Sequence, residues 1–592
     1  MALDAARNKV NILKRALFVR KVGIDINDQI NSLQVEHGAE FLIPDTIFEC
    51  NKELRLAQNQ VQQIARNSVL TRIQELENKM TDLYLSSTTS DKKKLEIIKH
   101  IKKAEEIKRM FRKLGYLRRE QAQTAINMLE VPTDPSANPK EIDKDDPTKW
   151  RTVKLPTEIE NLITSRNRSH FGQARGPWLE PPLSQEVDFT ASTVTSELIL
   201  EGEYDASTLD EITQLMIKHL EICDRSASPL PLFITDDEFV SKLKNWNEKT
   251  TTSPSSLHLG HWKALLARHD QNHDPTSDAC KELDAMQSDI RRARLTLINY
   301  ALRWGFSYDR WKNIVNVMIL KDPGVFKIHR LRVIHIYEAD YNLILGIKWR
   351  ALIHSAADKK QLNNGQYGRP ERSPMEPVFI EEMENEISRA SRKSLVKFDN
   401  DATSCYDRIL AAIASITSRK FGLHKNVAFV MARNLEDARY KLKTALGVSE
   451  SFYKHCSLFP IYGTGQGSQN SPAIWCIISS VLFDCFETKA HGAKFESPDK
   501  SQSITIFMVG FVDDSTGQVN QFTQNVQPSP ESLLSIMRKD AQLWNDLLWV
   551  SGGDLELPKC SYHLLHYMFT ADGAPILQGG QVGSDLILSS GD

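Results

Sequence analysis

Three aspartates stand at the ends of two strongly apolar stretches. LVKFDNDATSCYDRI (395–409) runs through Leu395, Val396 and Phe398 to Asp401. ITIFMVGFVDDSTGQV (504–519) runs through Ile504, Ile506, Phe507, Val509 and Phe511 to the adjacent pair Asp513 and Asp514. Runs this apolar predict half-buried or buried strands, and a carboxylate at the end of one is costly unless charge nearby offsets it. Two such ends side by side suit a pair of divalent cations, because hard cations take carboxylate oxygen. Two metals on shared carboxylates are the usual apparatus of in-line phosphoryl or nucleotidyl transfer. Each acid also has a plainer use: Asp401 as a helix N-cap, Asp513 and Asp514 as a hairpin turn. Nearby, Asp407 is placed to cap a helix or to pair with Arg408. Ions spaced roughly 4 Å apart cannot be shared if Asp401 and Asp513 lie more than about 10 Å apart.

Other residues extend the chemistry. Lys321, Lys327, Arg330 and Arg332 fall on a predicted β-hairpin made of Ile314–Leu320, a turn at Pro323–Gly324, and Leu331–Ile336. Such cations can clamp a triphosphate, since Arg forms bidentate contacts with phosphate oxygens; they can equally be a solvated edge. The loop in IYGTGQGSQNSP (461–472) lets backbone approach a ligand. His258, His261, His269, His273 and Cys280 raise a zinc site, which we set aside because structural sites favour tighter ligand pairs.

The elements that must position these groups follow from pattern. Ala402–Lys420 has helical spacing at Ile409, Ile413 and Ile416, stopped at Gly422. Ser471 as N-cap and Pro472 at the first helical position start a helix apolar on every side, hence buried. MEPVFIEEMENEISRASRK (375–393), Ser288–Trp304, Ser207–Cys223 and Glu531–Val550 read as further helices, and DLELPKCSYHLLHYMF (554–569) as extended chain carrying Lys559.

In this order the pieces resemble the fingers and palm of reverse transcriptases of the retrotransposon and group II intron kinds, over roughly residues 250–570. LKDPG…HRLRVI is similar to the family's fingers strands, and NGQYGRPERS to the loop before its palm. DATSCYD resembles the first palm motif, GQGSQNSP the QGxxxSP loop, FVDD the paired-Asp motif and GGDLELPKC the motif after it. The resemblance implies Asp401, Asp513 and Asp514 as catalytic metal ligands for two Mg²⁺ (or Mn²⁺) ions, and Lys559 as proton donor to pyrophosphate. It implies Arg332 and Lys321 on the triphosphate, Tyr406 as the gate against a ribose 2′-hydroxyl, and Gln466 and Gly467 beside template and nucleotide. Asp399 precedes the motif position. The sequence departs from the family at Val512, where Ala or Met is more usual, and at Val333, where Pro follows the arginine. Only 33 residues follow Lys559, so the helical thumb is expected to be absent or truncated. RNase H, endonuclease and CCHC-knuckle signatures are not seen.

The expected fold class is therefore α+β: a right-hand polymerase palm and fingers, an antiparallel sheet packed on helices, after an α-helical N-terminal region. The domain reading is 1–130 helical, as a hairpin or coiled-coil-like pair, and 131–190 a Pro-rich linker. Residues 191–394 then form a helical connector with fingers, and 395–592 the palm. Residues 47–130 suggest two amphipathic helices parted by SSTTSD (86–91), the second running from Lys92 to Leu129. Its stretch 91–120 carries twelve Lys or Arg against five acids, a face for solvent, for nucleic acid or for oligomerisation through these helices.

Over all 592 residues the formal charge is only −2, so any nucleic-acid contact must rest on local basic surface. Eight cysteines without a CxxC pair, and a charged start without a long apolar core, read as reduced thiols in an intracellular protein. The longest nearly apolar run, Ala473–Phe483, is too short to cross a bilayer. The implied partners are an RNA template, a DNA or RNA primer and dNTPs. Two other readings compete with RNA-directed DNA polymerase: a catalytically inactive remnant of a mobile element that only binds nucleic acid or protein, and a two-metal nuclease. The nuclease has no need of Tyr406 or the QGxxxSP loop.

Overall fold

The structure is a computed structural model. It describes residues 2–22 and 26–37, scattered positions from 43 to 64, and residue 588. It also describes residues 125–577 except 143–145, 247–252, 256–258, 267–276, 323 and 521–528. Two compact units divide the chain, Met1–Thr124 and Ala125–Asp592.

In the first unit, α1 (Ala2–Val22) and α2 (Ile26–His37) pack through Ile12, Ala16, Val19 and Leu33, joined by Ile43 and Cys50. Most of the helical region expected over 47–130, including the basic stretch 91–120, lies outside the described residues. Where its end is described, the reading is corrected. Leu129 does not close a helix but opens a strand, β1 (Leu129–Pro132), paired antiparallel with β2 (Trp150–Val153).

Residues 131–190 are not a linker. Three of their prolines, Pro147, Pro156 and Pro177, open helices or 3-10 turns, where a missing N–H costs nothing. Pro156 opens α3 (Pro156–Phe171), and Pro177 opens a short 3-10 turn. Ile159, Ile163, Phe171, Trp178 and Leu183 are buried in the main core of the second unit. Counting prolines without weighing the apolar residues between them misplaced this boundary. Over Ser207–Cys223 the helix is shorter than expected, Glu211–Lys218.

After α4 (Asp278–Trp304), β3 (Asn313–Leu320) and β4 (Leu331–Ile336) form the expected hairpin. Gly324 takes φ +84° in its turn, and Pro323 lies outside the described residues. Next come α5 (Ala339–Asp358), α6 (Met375–Ala390) and β5 (Leu395–Asp401). Two helices, α7 (Cys405–Arg408) and α8 (Ala411–Lys420), replace the single one expected over 402–420, and α9 (Lys425–Glu436) follows. β6 (Arg439–Thr444) pairs parallel with β3, and short β7 (Gly447–Val448) and β8 (Tyr453–Lys454) pair with β6, completing a five-stranded mixed sheet.

In the buried helix α10 (Ser471–Lys489) the N-cap position falls on Asn470, one residue earlier than expected, and its side chain makes no cap hydrogen bond. The apolar run 504–511 is not one strand. It breaks at Phe507 into β10 (Ser503–Ile506), paired with β9 (Ala493–Glu496), and β11 (Met508–Phe511). Ile504 is consequently exposed, while Met508 and Val509 are buried. β12 (Asp514–Asn520) and, after helix α11 (Pro530–Val550), β13 (Ser561–Leu565) complete a four-stranded antiparallel sheet in the order β11-β12-β5-β13. The protein is thus mixed α+β, with several small, largely antiparallel sheets. Among the described residues no helix is long and apolar enough to cross a membrane.

The four-stranded sheet has two unlike faces because side chains alternate along a strand. Val396 and Phe398 of β5 enter the helical core. Gly517, opposite Phe398, leaves the room that ring fills. The other face holds Lys397, Asp399 and Asp401 in a row, opposite Gln518, Thr516 and Asp514.

Candidate active site

The three aspartates meet at one end of this sheet. β5 and β12 pair with Asp401 opposite Asp514, and β11 and β12 pair with Phe511 opposite Asp514, leaving Val512 and Asp513 as a two-residue turn. Opposed antiparallel residues have Cα atoms about 4.5–5.5 Å apart, and consecutive ones about 3.8 Å, so those of Asp401 and Asp513 lie within about 9 Å.

The turn is held in an unusual conformation. Val512 takes φ +62°, a left-handed backbone that a β-branched residue rarely adopts. Such an outlier persists only where its surroundings fix it. Trp475 of α10, itself buried, donates its indole N–H to the Val512 carbonyl at 2.6 Å. Behind the turn, residues 365–367 run along β11: Tyr367 N–H donates to the Gly510 carbonyl, and Gly510 N–H to that of Gly365, both at 2.8 Å. The fully buried Gln366 anchors that loop by donating to the Ser479 hydroxyl at 2.7 Å. The Gly-rich loop 363–368 therefore supports the aspartate turn.

Asp514 holds its proton more tightly than an ordinary carboxyl, through burial first and then the negative charges of Asp513 and Asp401, with Lys559 opposing. Lys559 donates to Asp401 Oδ2 at 2.6 Å, and that bond raises its own pKa. The segment bearing Lys559 is clipped to the end of β5: Glu556 N–H donates to the Asp401 carbonyl and Thr403 N–H to that of Asp554, both at 2.9 Å. The Thr403 hydroxyl donates to the Glu556 carboxylate.

A cationic side faces this acidic one. Burial depresses the Lys321 pKa, and the neighbouring charges of Lys559, Arg330 and Arg332 depress it further, so Lys321 lies within reach of three other cations. Arg332 is exposed, whereas Arg330 is tied to Asp322. Lys327 stacks on the ring of Trp150. Tyr406 is half-buried near the turn, its phenol pushed up by burial, then by the charges of Cys405 and Asp513.

Gln466 and Gly467 have a structural task. The Gln466 carbonyl accepts from His335 N–H of β4 at 2.7 Å. Gly467, at φ +119°, lies so close to the His335 carbonyl that a Cβ there would collide with it. Packing against β4 alone thus accounts for glycine at 467. Asp407 neither caps a helix nor pairs with Arg408. It meets His170 Nε2 of α3 at 2.9 Å, while Arg408 pairs with Asp554 at 3.3 Å. Asp399 accepts from the Thr516 hydroxyl at 2.8 Å and lies 3.3 Å from His563. Of the zinc candidates, His258, His269 and His273 lie outside the described residues.

Sequence reasoning missed Trp475, Gln366, Thr403, Glu556 and the His170 partner of Asp407. It also passed over Lys397, buried against Glu384 at 3.0 Å. A lysine in the middle of an apolar strand was a readable signal that a buried acid would be needed.

The aspartates supply the hard oxygen donors a divalent cation takes, and their mutual repulsion at Asp514 marks charge that such a cation would neutralise. The set is not closed around an ion. Among the described residues no three His, Cys, Asp or Glu side chains are gathered tightly enough to hold one. Donor type and charge fit a metal; the Lys559 ammonium currently takes part of that role at Asp401.

No protein-family model matches the chain, and no curated protein matches it.

Proposed function

We propose that the chain is an RNA-directed DNA polymerase of right-hand palm-and-fingers type, extending a primer 3′-hydroxyl with dNTPs on an RNA template. The observation that carries this reading is the β5–β12 register, which brings Asp401 opposite Asp514 with Asp513 in the adjoining turn. Asp401, Asp513 and Asp514 would hold divalent cations, whose chemistry is to acidify the attacking hydroxyl and neutralise the leaving pyrophosphate. Lys321 and Arg332 offer positive charge to the triphosphate, and the repulsion of Lys321 from Lys559 and Arg332 would be relieved by an anion arriving among them. Lys559 leaves Asp401 to give its proton to pyrophosphate. Tyr406, neutral and half-buried beside the turn, shapes the sugar site.

A second reading, a non-catalytic binding module, is favoured by the Lys559–Asp401 contact, which leaves one carboxylate already neutralised. Extension of a DNA primer on an RNA template separates the two. Wild type in Mg²⁺ or Mn²⁺ is expected to exceed Asp513→Ala by at least about a hundredfold, on the scale of losing one electrostatic catalytic group. Equal incorporation by the two proteins would leave only the binding module.

A further inference from the structure

Among the described residues, helix α4 turns an apolar seam to solvent, touched at its end, where Tyr300 meets the ring of Phe306. Leu283, Met286, Ile290, Leu297, Tyr300 and Trp304 are 40–59% exposed, and exposed Ala293 fills the one gap in the series. The intervals run three, four, three, four, three, four: an uninterrupted heptad seam, as in helices that pair with a second helix. The helix needs none of these residues to hold it in place, because Cys280, Gln287, Ile298, Ala301 and Leu302 are its buried side. The seam is about 30 Å long at 1.5 Å per residue.

Charge identifies the occupant. In the first half of α4, Asp278, Glu282, Asp284 and Asp289 stand against Lys281 alone; in the second half, Arg291, Arg292, Arg294 and Arg303 have no acid among them. A parallel copy would set like charges together, whereas an antiparallel copy sets acidic half on basic half. We infer that the exposed seam of α4 binds the same seam of a second copy of this chain, antiparallel and two-fold symmetric. Symmetry closes the contact, so it makes dimers and not fibres. The register that joins opposite charges places Leu283 of one copy against Tyr300 of the other, Met286 against Leu297 and Ile290 against Ala293. The same register brings Glu282 to Arg303 on the outer flank, twice by symmetry.

Sedimentation of the full chain between about 1 and 50 µM tests this, well within the range of specific dimers. The expected species has twice the 67.3 kDa chain mass. Ile290→Glu with Leu297→Glu should return it to monomer while leaving the far-ultraviolet circular dichroism unchanged, since both side chains face solvent in the single chain; the melt should fall only by the stabilisation that dimerisation gave. Glu282→Arg or Arg303→Glu alone should weaken the dimer on the order of tenfold at low salt, two exposed pairs being lost, and the double exchange should restore it. A chain that stays monomeric at 50 µM overturns the inference. So does a dimer indifferent to the seam variants, or one whose charge exchanges fail to compensate.

Discussion

Lys397→Met removes one half of a buried ion pair that pins helix α6 to β5 and, through the Gln518 bond to the same Glu384, to β12. Lys397 is 6% exposed and Glu384 2%. The ammonium lies 3.0 Å from Glu384 and donates to the Glu381 carbonyl at 3.1 Å, while Gln518 of β12 donates to the same Glu384 carboxylate at 2.8 Å. Burial raises the Glu384 pKa, and Lys397 opposes that rise. Breaking such a pair from one side costs about 3–5 kcal/mol, because the remaining charge is buried alone. Gln518 still donates to it, so we expect about 3 kcal/mol. The sign with pH follows. A carboxyl whose folded pKa lies above its unfolded one favours the fold when protonated, and that contribution is lost as pH rises through the folded pKa. Lys397→Met raises the Glu384 pKa further, so its penalty should be largest at pH 8 and shrink towards pH 5. Adding Glu384→Gln keeps the Gln518 bond and removes the stranded charge, restoring about 2 kcal/mol, within the coupling typical of contacting residues. Urea unfolding followed by tryptophan fluorescence at both pH values measures each variant. If the double variant is no more stable than the single one, or the penalty is flat with pH, the ion-pair argument is wrong.

Two further outcomes follow from the aspartate end. Asp514→Asn should raise the melting temperature of metal-free protein at neutral pH, because ionised Asp514 is opposed by burial and by two neighbouring carboxylates; the gain should fade below the ordinary Asp value of 3.8, where the native side chain is protonated. Trp475→Phe deprives the Val512 carbonyl of its 2.6 Å donor and should cost about 1–3 kcal/mol in unfolding experiments. It should also lower primer extension at saturating dNTP more than it raises KM, since the turn and not the nucleotide site is loosened. A change confined to KM would contradict a positioning role.

Much of the sheet was legible because alternation and apolar runs report strands directly. The pattern gives β4 and β5 their observed bounds and starts β3 one residue late, but it sets the aspartate turn one residue late, at Asp513–Asp514, whereas the turn is Val512–Asp513 and Asp514 opens β12 opposite Phe511. What failed has local causes. Proline spacing across 131–190 looked like a linker because sequence does not show that Ile159, Ile163 and Trp178 face one core. The run 504–511 looked like one buried strand because its break at Phe507 depends on which neighbours each half meets. The helix over 402–420 divides where the chain must turn after Arg408, with Ile409 and Leu410 extended between α7 and α8. The supports of the site, Trp475 and Gln366, were invisible because their partners lie 37 and 113 residues away.

The central claim is that Asp401, Asp513 and Asp514 together bind divalent cations. Titration of the intact protein with Mn²⁺, reading free ion by electron paramagnetic resonance, tests it without requiring turnover. We expect saturable binding that Asp401→Asn or Asp513→Asn weakens by at least about tenfold, and that Lys559→Met strengthens by freeing Asp401 of its ammonium. Binding that is absent in wild type, or unchanged in both aspartate variants, would contradict the account.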